Sequence, residues 1–258
     1  MAGSQIERAF SLLEQLTRAP GGLPLQALAD ETGMPKSAAH RMLAELVRLG
    51  YVRQNPESLR YLLTTRLVAQ GFRYLGHSGV DIVQPILDRL AEHTGELIRL
   101  GVVEGRRLTW LAKAQGARAG LRYDPDMGRE APLFYTASGH AWLATLPDEE
   151  ALALVKAQGI AAAEGFGPNA PRSLEALLER LRLARTLGYA WVMESSAVGM
   201  SALGVAVRHP GSQATLGVLS VAGPTARLPE ARLHEIAPAA MAAAVELAEA
   251  SPASEWFQ

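Results

Sequence analysis

Lys36, Ser37, His40 and Arg41 fall within six residues of one another, and each carries at least one hydrogen-bond donor. On a helix they would share the first two turns. Arg41 has the fork geometry to pair bidentately with guanine O6 and N7, whereas Lys36 suits a phosphate and would not distinguish sequences. Such a set of donors is what a helix laid in a DNA major groove requires. Ala39, Met42, Leu43 and Leu46 recur at i, i+3, i+4 and i+7, so the same segment has an opposite face that would point inward. Pro35 presets φ at the expected first helical position, and Gly50 ends the run. The competing reading is a solvated face on a winged helix that contacts protein instead.

Other arrangements that could carry chemistry are weak. The six histidines, at 40, 77, 93, 140, 209 and 234, show no His-x-His or His-Glu-x-x-His spacing, so no metal site is expected. The chain has no cysteine, which excludes disulfides, thiolate catalysis and thiolate metal ligation. No Gly-x-Ser-x-Gly elbow occurs. Gly165 to Ala170 matches Gly-x-Gly-x-x-Ala, but an alanine run precedes it and Pro171 follows, which describes a loop and not a dinucleotide site. Ser138 and His140, two apart, would face different directions on a helix. An enzyme with a DNA-binding appendage would need an acid–base constellation within residues 80–258, and none stands out. No catalytic role and no cofactor are expected.

Charge supports the first reading. The 258 residues sum to a net charge of −1, yet residues 33–73 hold seven basic groups against Glu45 and Glu57. That segment faces a polyanion well, while the remainder is mildly acidic. Hydrophobic residues make up 48% of the chain, but no apolar run approaches the ~20 residues needed to span a bilayer. No apolar stretch precedes a small-residue cleavage site near the start, so no secretory signal or membrane partner is expected. With the absence of cysteine, this fits a cytoplasmic location.

Periodicity places helices at residues 6–19, with Ile6, Ala9, Phe10, Leu13 and Leu16 as the inward stripe, at 25–31, and at the donor-bearing segment. Ala29 and Gly33 stand four apart, allowing close helix approach and a tight turn. Short strands at 51–54 and 60–63 flank the turn Asn55-Pro56-Glu57-Ser58, placing Arg53, Gln54 and Arg60 on a hairpin that could lie along a DNA backbone. Three helices and a hairpin make a winged helix-turn-helix over residues 1–63. Residues 64–78 read as a connecting, dimerising helix whose apolar face holds Leu67, Val68, Gly71, Phe72 and Leu75, with a joint at Gly76-His77-Ser78-Gly79. Beyond it, helices at 82–94, 136–145, 148–157, 174–187 and 229–250 alternate with strands at 96–103, 107–114, 189–194, 203–208 and 215–221. Hairpin-like connections indicate a mostly antiparallel sheet covered by helices, an α+β domain over residues 79–258. Residues 251–258 read as a loose tail.

Four blocks in this order resemble the IclR family of bacterial transcription regulators: residues 33–53, Glu92-His-Thr-Gly-Glu96, Pro132-Leu-Phe-Tyr-Thr-Ala-Ser-Gly-His-Ala141, and Leu187-Gly-Tyr-Ala190 followed by Gly199 and Ser220-Val-Ala-Gly-Pro224. The resemblance covers nearly the whole chain. It implies a dimer or dimer of dimers that binds a palindromic, double-stranded operator, with a C-terminal GAF-like domain that binds a small organic effector, commonly a carboxylate or aromatic compound.

The resemblance also implies that Tyr123, Met127, Val192, Ala202 and Ser220 line the effector cavity. From the residues themselves, Thr136 would cap a helix whose first N–H groups, at Ala137 and Ser138, suit a carboxylate. The chain departs from the family pattern at Phe134 and His140, and at Val192, Ala202 and Ala222, where relatives carry polar groups. A more apolar cavity, unsuited to a very small oxoacid, is therefore expected. The alternative function is a constitutive winged-helix dimer that binds DNA without a ligand.

Overall fold

A computed structural model describes residues 4–75, 80–123, 127–159, 166–254 and 257. The chain divides into two compact units, Met1–His77 and Ser78–Gln258.

In the first unit, α1 (Gln5–Thr17), α2 (Leu25–Thr32) and α3 (Lys36–Arg48) precede the hairpin of β1 (Val52–Gln54) and β2 (Tyr61–Leu63). Ser4 caps α1 through a reciprocal pair with Glu7. Between α2 and α3 the chain turns at Gly33, whose φ of +63° closes α2 in the left-handed region. Pro35 serves as the cap of α3 rather than its first helical residue. The core consists of Leu12, Leu16, Leu28, Ala29, Ala39, Leu43, Leu46, Val52 and Tyr61.

The inward face of α1 is rotated from the expected stripe. Leu12 and Leu16 are buried, while Ile6 and Phe10 remain 70% and 60% exposed. Counting leucines, isoleucines and phenylalanines as equivalent cannot resolve a helix with apolar residues on two faces. The helix after the hairpin, α4 (Arg66–Leu75), is fastened to this unit at its start. The Arg66 guanidinium lies over the Tyr51 ring, and Gln70 donates to the Tyr51 hydroxyl at 3.1 Å. The Gly76–Gly79 joint lies outside the described residues.

The second unit is built on a five-stranded antiparallel sheet of β3 (Leu97–Glu104), β4 (Arg107–Gln115), β5 (Ala190–Met193), β6 (Met200–Arg208) and β7 (Thr215–Pro224), in the order β4-β3-β7-β6-β5. One face packs on α5 (Val80–Thr94) and α9 (Glu230–Ala250), burying Leu87, Ile98, Leu100, Val205, Leu219, Val221, Leu233 and Ile236. The other face is covered by α6 (Ala137–Leu143), α7 (Asp148–Gln158) and α8 (Leu174–Leu187), around Leu108, Leu133, Trp142, Leu154, Leu177, Leu181 and Val218.

Because both faces are covered, β3 is buried at six successive positions instead of alternating. The described residues of the C-terminal segment, 251–254 and 257, are not a loose tail. Ser251–Ala253 form a 3-10 turn, Ser251 and Ser254 are buried, and Phe257 packs against the α9 core.

Candidate nucleic-acid interface and ligand cavity

On α3 the two faces separate as the spacing requires. Ala39, Leu43 and Leu46 are buried, whereas Lys36, Ser37, His40 and Arg41 are exposed on the first two turns. Glu45 and Arg48, further along, pair with each other, so the acid does not compete for the leading cations. Arg53, Gln54 and Arg60 are exposed on the wing. Two of the three also serve the fold. Arg60 Nη1 donates to the Gly22 carbonyl at 2.8 Å and Gln54 Nε2 to the Leu59 carbonyl at 3.1 Å. The wing tip is shaped by Asn55 Oδ1, which accepts the Glu57 and Ser58 N–H groups at 2.9 Å each. Leu59 follows at φ +54°, a strained and exposed position that nothing in the spacing announced.

A cavity of about 210 Å³ lies in the second unit, on the α6 side of the sheet. Its floor follows from register. Val192, Ala202 and Ala222 are direct neighbours across β5, β6 and β7, so they form one row on one face, too small to fill the space above them. The next row contains Gly204. An added Cβ there would lie 2.5 Å from the Ala137 carbonyl oxygen, so the glycine lets the start of α6 descend onto the sheet beside the row.

Thr136 caps α6. Its hydroxyl accepts the Gly139 N–H at 2.9 Å and donates to the Pro132 carbonyl at 2.6 Å. The first intrahelical bond of this turn runs from the His140 N–H to the Thr136 carbonyl. Among the described residues this leaves the Ala137 and Ser138 N–H groups as the unpaired donors of the first turn.

Five of the seven expected cavity residues meet here: Tyr123, Ala137, Ser138, Val192 and Ala202 all line the space. The structure does not bring Met127 or Ser220 to the wall. Met127 packs on the Leu108 and Trp110 side of the core. Ser220 is buried in the Gly204 row, with its hydroxyl turned towards the Arg99 carbonyl at 3.4 Å. Glu194 is spent on the turn after β5, where it accepts the Gly199 N–H at 2.9 Å.

Sequence reasoning missed Arg99. It sits on β3 opposite Ser220, is 5% exposed, and lines the cavity. Its guanidinium stacks 3.8 Å from the Trp110 ring centroid, with the Tyr123 ring at 5.7 Å. Nε and Nη1 have no hydrogen-bond partner, and neither does the buried Trp110 Nε1. Burial pulls the Arg99 pKa down to about 10, which leaves it a cation at neutral pH. The family's polar positions at Val192, Ala202 and Ala222 are apolar here, but a buried charge that the expectation of a more apolar cavity did not include enters from another strand. The only hint was a charged residue inside an apolar strand pattern, which alternation ordinarily assigns to a solvent face.

A larger groove of about 390 Å³ beside β5 is lined by Arg180, Tyr189, Trp191 and Glu230, but Arg180 there already donates to the Asn169 carbonyl at 2.6 Å. Among the described residues no cluster of three or more acidic or histidine side chains could hold a metal ion, and no helix is long and apolar enough to cross a membrane.

Comparison with known proteins agrees with both halves of this arrangement. Residues 5–56 match the IclR helix-turn-helix domain, and residues 73–249 match the bacterial transcriptional regulator IclR C-terminal domain. The HTH-type transcriptional regulator XynR of Escherichia coli is 31% identical over 231 residues, covering 88% of this chain and 89% of that protein. An IclR regulator from Alicyclobacillus acidocaldarius superposes with a TM-score of 0.82 over the full length of both chains, at 22% identity. An IclR homolog from Microbacterium hydrocarbonoxydans, solved with 4-hydroxybenzoate, gives a TM-score of 0.76 at 22% identity over 97% of this chain and all of that one. With a helix-turn-helix that presents its donors outwards and an α+β unit matched over nearly all its length, this chain belongs to the IclR family of DNA-binding bacterial transcription regulators and not to an enzyme family.

Proposed function

We propose that a small organic carboxylate, aromatic or of similar size, occupies the cavity of the second unit and thereby controls operator binding by the first. The carrying observation is the ring-sized cavity above the Val192–Ala202–Ala222 row. At about 210 Å³ it lies below the range of drug-sized pockets, and it is lined by hydroxyls, free N–H groups and Tyr123. The fold shared with a homolog that holds 4-hydroxybenzoate supports the same ligand class.

Lys36, Ser37, His40 and Arg41 read the major groove, and Arg53, Gln54 and Arg60 contact the backbone. The exposed Ile6, Phe10 and Val68 of the first unit supply apolar surface for a dimer or dimer of dimers, which a palindromic operator requires. The segment at residues 64–78 links the two units in sequence and would transmit a change of ligand state. A DNA target implies a cytoplasmic location.

The test is a gel shift of the full-length protein on DNA upstream of its own coding sequence, with and without benzoate-type acids. Binding that shifts with an acid supports the reading. Binding that ignores every acid would favour the constitutive dimer. In the same assay Arg41→Ala should weaken discrimination between operator and scrambled DNA roughly 10- to 100-fold, from the ~1–3 kcal/mol of a bidentate guanine contact. An unchanged preference would remove Arg41 from the base-reading set.

A further inference from the structure

We propose that Arg99 is the receptor for the effector's acidic group, and that the ligand is a planar monocarboxylic acid with its carboxylate at β3 and a neutral polar group at the first turn of α6. The proposal rests on the effector reading above and narrows it to a class and an orientation.

A buried guanidinium without a carboxylate is an unstable arrangement, because desolvation of the charge is not offset by any ion pair. Arg99 is in that position. It is almost wholly buried, two of its nitrogens have no hydrogen-bond partner, and no carboxylate of the described residues pairs with it. The acid on the cavity wall, Glu130, is engaged elsewhere: Oε1 accepts from Gln158 Nε2 at 2.9 Å, and Arg107 lies 3.8 Å from Oε2. The partner that completes Arg99 therefore comes from outside the chain.

The surroundings specify the partner further. Trp110 covers one face of the guanidinium at 3.8 Å, which leaves the donor edges of the group as the route by which a carboxylate can meet it. Trp110 Nε1, a second buried donor without an acceptor, adds to a local excess of donors that only an acceptor-rich group relieves. The aromatic walls Trp110 and Tyr123 and the shallow alanine floor favour a flat body. Of the rest of the wall, Arg129 already has an interaction of its own, and the first turn of α6 presents the Ser138 hydroxyl, which suits a hydroxyl or carbonyl without a second full charge. This reverses the orientation that a carboxylate at the start of α6 would adopt.

The experiment uses the full-length protein with paired compounds, benzoate and 4-hydroxybenzoate against benzamide and 4-hydroxybenzamide. Melting temperature and titration calorimetry are the readouts, on wild type and on Arg99→Met and Arg99→Gln. Expected are tighter binding of the acids than of the amides in wild type, by 10-fold or more, and loss of that preference in both variants. Without ligand, Arg99→Met should melt at or above wild type, since it removes an uncompensated charge.

If wild type binds the acids and the variants bind them equally well, Arg99 is not the receptor although the effector reading stands. Amides binding as tightly as acids in wild type would overturn the proposal in the same way. No response of wild type to any of the four overturns the effector reading and the proposal together. A ligand-free Arg99→Met that melts well below wild type would make the arginine structural and would also overturn the assignment.

Discussion

At the scale of single residues, burial decides what a side chain can do. Arg41 and Arg99 are the same amino acid, yet one is solvated on α3 and the other is enclosed against Trp110. Their exposed or apolar neighbours in sequence show the first but not the second. Arg99 sits in Leu97-Ile98-Arg99-Leu100, and only the packing of helices on both sheet faces reveals that its side is closed. His140 illustrates the energetic consequence. It is 1% exposed, its Nε2 donates to the Phe134 carbonyl at 2.9 Å, and burial pulls its pKa from 6.5 down to about 4. Between those values the unfolded chain binds the proton and the folded one does not. Stability should therefore fall as pH drops from about 6.5 to about 4, by roughly 3 kcal/mol from this residue. Urea denaturation at pH 7.5 and pH 4.5 would measure this, with His140→Leu as the reference. A variant whose acid-side loss equals that of wild type would show that other groups carry it.

At the scale of elements, the legible features were those with a strong local cause. The turn at Gly33, the two faces of α3 and the wing hairpin all appear where spacing places them, because each is set by residues within a few positions. The phase of α1 and the packing of residues 251–254 and 257 were not legible, since each depends on contacts distant in sequence. Leu12 and Leu16 win the core over Ile6 and Phe10 only once α2 and α3 are present. Phe257 finds its place against the α9 side of the sheet. Gly204 shows how one element positions another. Replacing it with alanine puts a methyl group 2.5 Å from the Ala137 carbonyl, so α6 must lift. An overpacking cost of about 1–3 kcal/mol is expected, seen as a lower melting temperature. Acid binding should weaken as Ala137 and Ser138 move, while ligand-free DNA affinity stays near wild type. A variant that melts lower yet keeps full acid affinity would separate α6 from the site.

For the molecule as a whole, a separate core in each unit predicts separable activities. The first unit closes around Leu12, Leu28 and Leu43, and the second around its sheet. A fragment of residues 78–258 should keep the acid-induced rise in melting temperature and fail to retain operator DNA. Residues 1–77 alone, which keep the donor face of α3 and the exposed Ile6, Phe10 and Val68, should still bind DNA but no longer respond to acids. A second-unit fragment that folds but no longer binds acids would mean that the cavity needs the first unit.

The chain by itself determined the two faces of α3, the wing hairpin and the α+β class of the second unit, since these rest on local periodicity, whereas the small residues of the cavity floor were legible only through the family resemblance. Tertiary structure alone decided that Met127 and Ser220 turn away from the space and that a charge from β3 turns into it. Which side of a doubly covered sheet is closed, and which buried charge is left without a partner, depend on how strands far apart in sequence align, and no local pattern encodes that alignment.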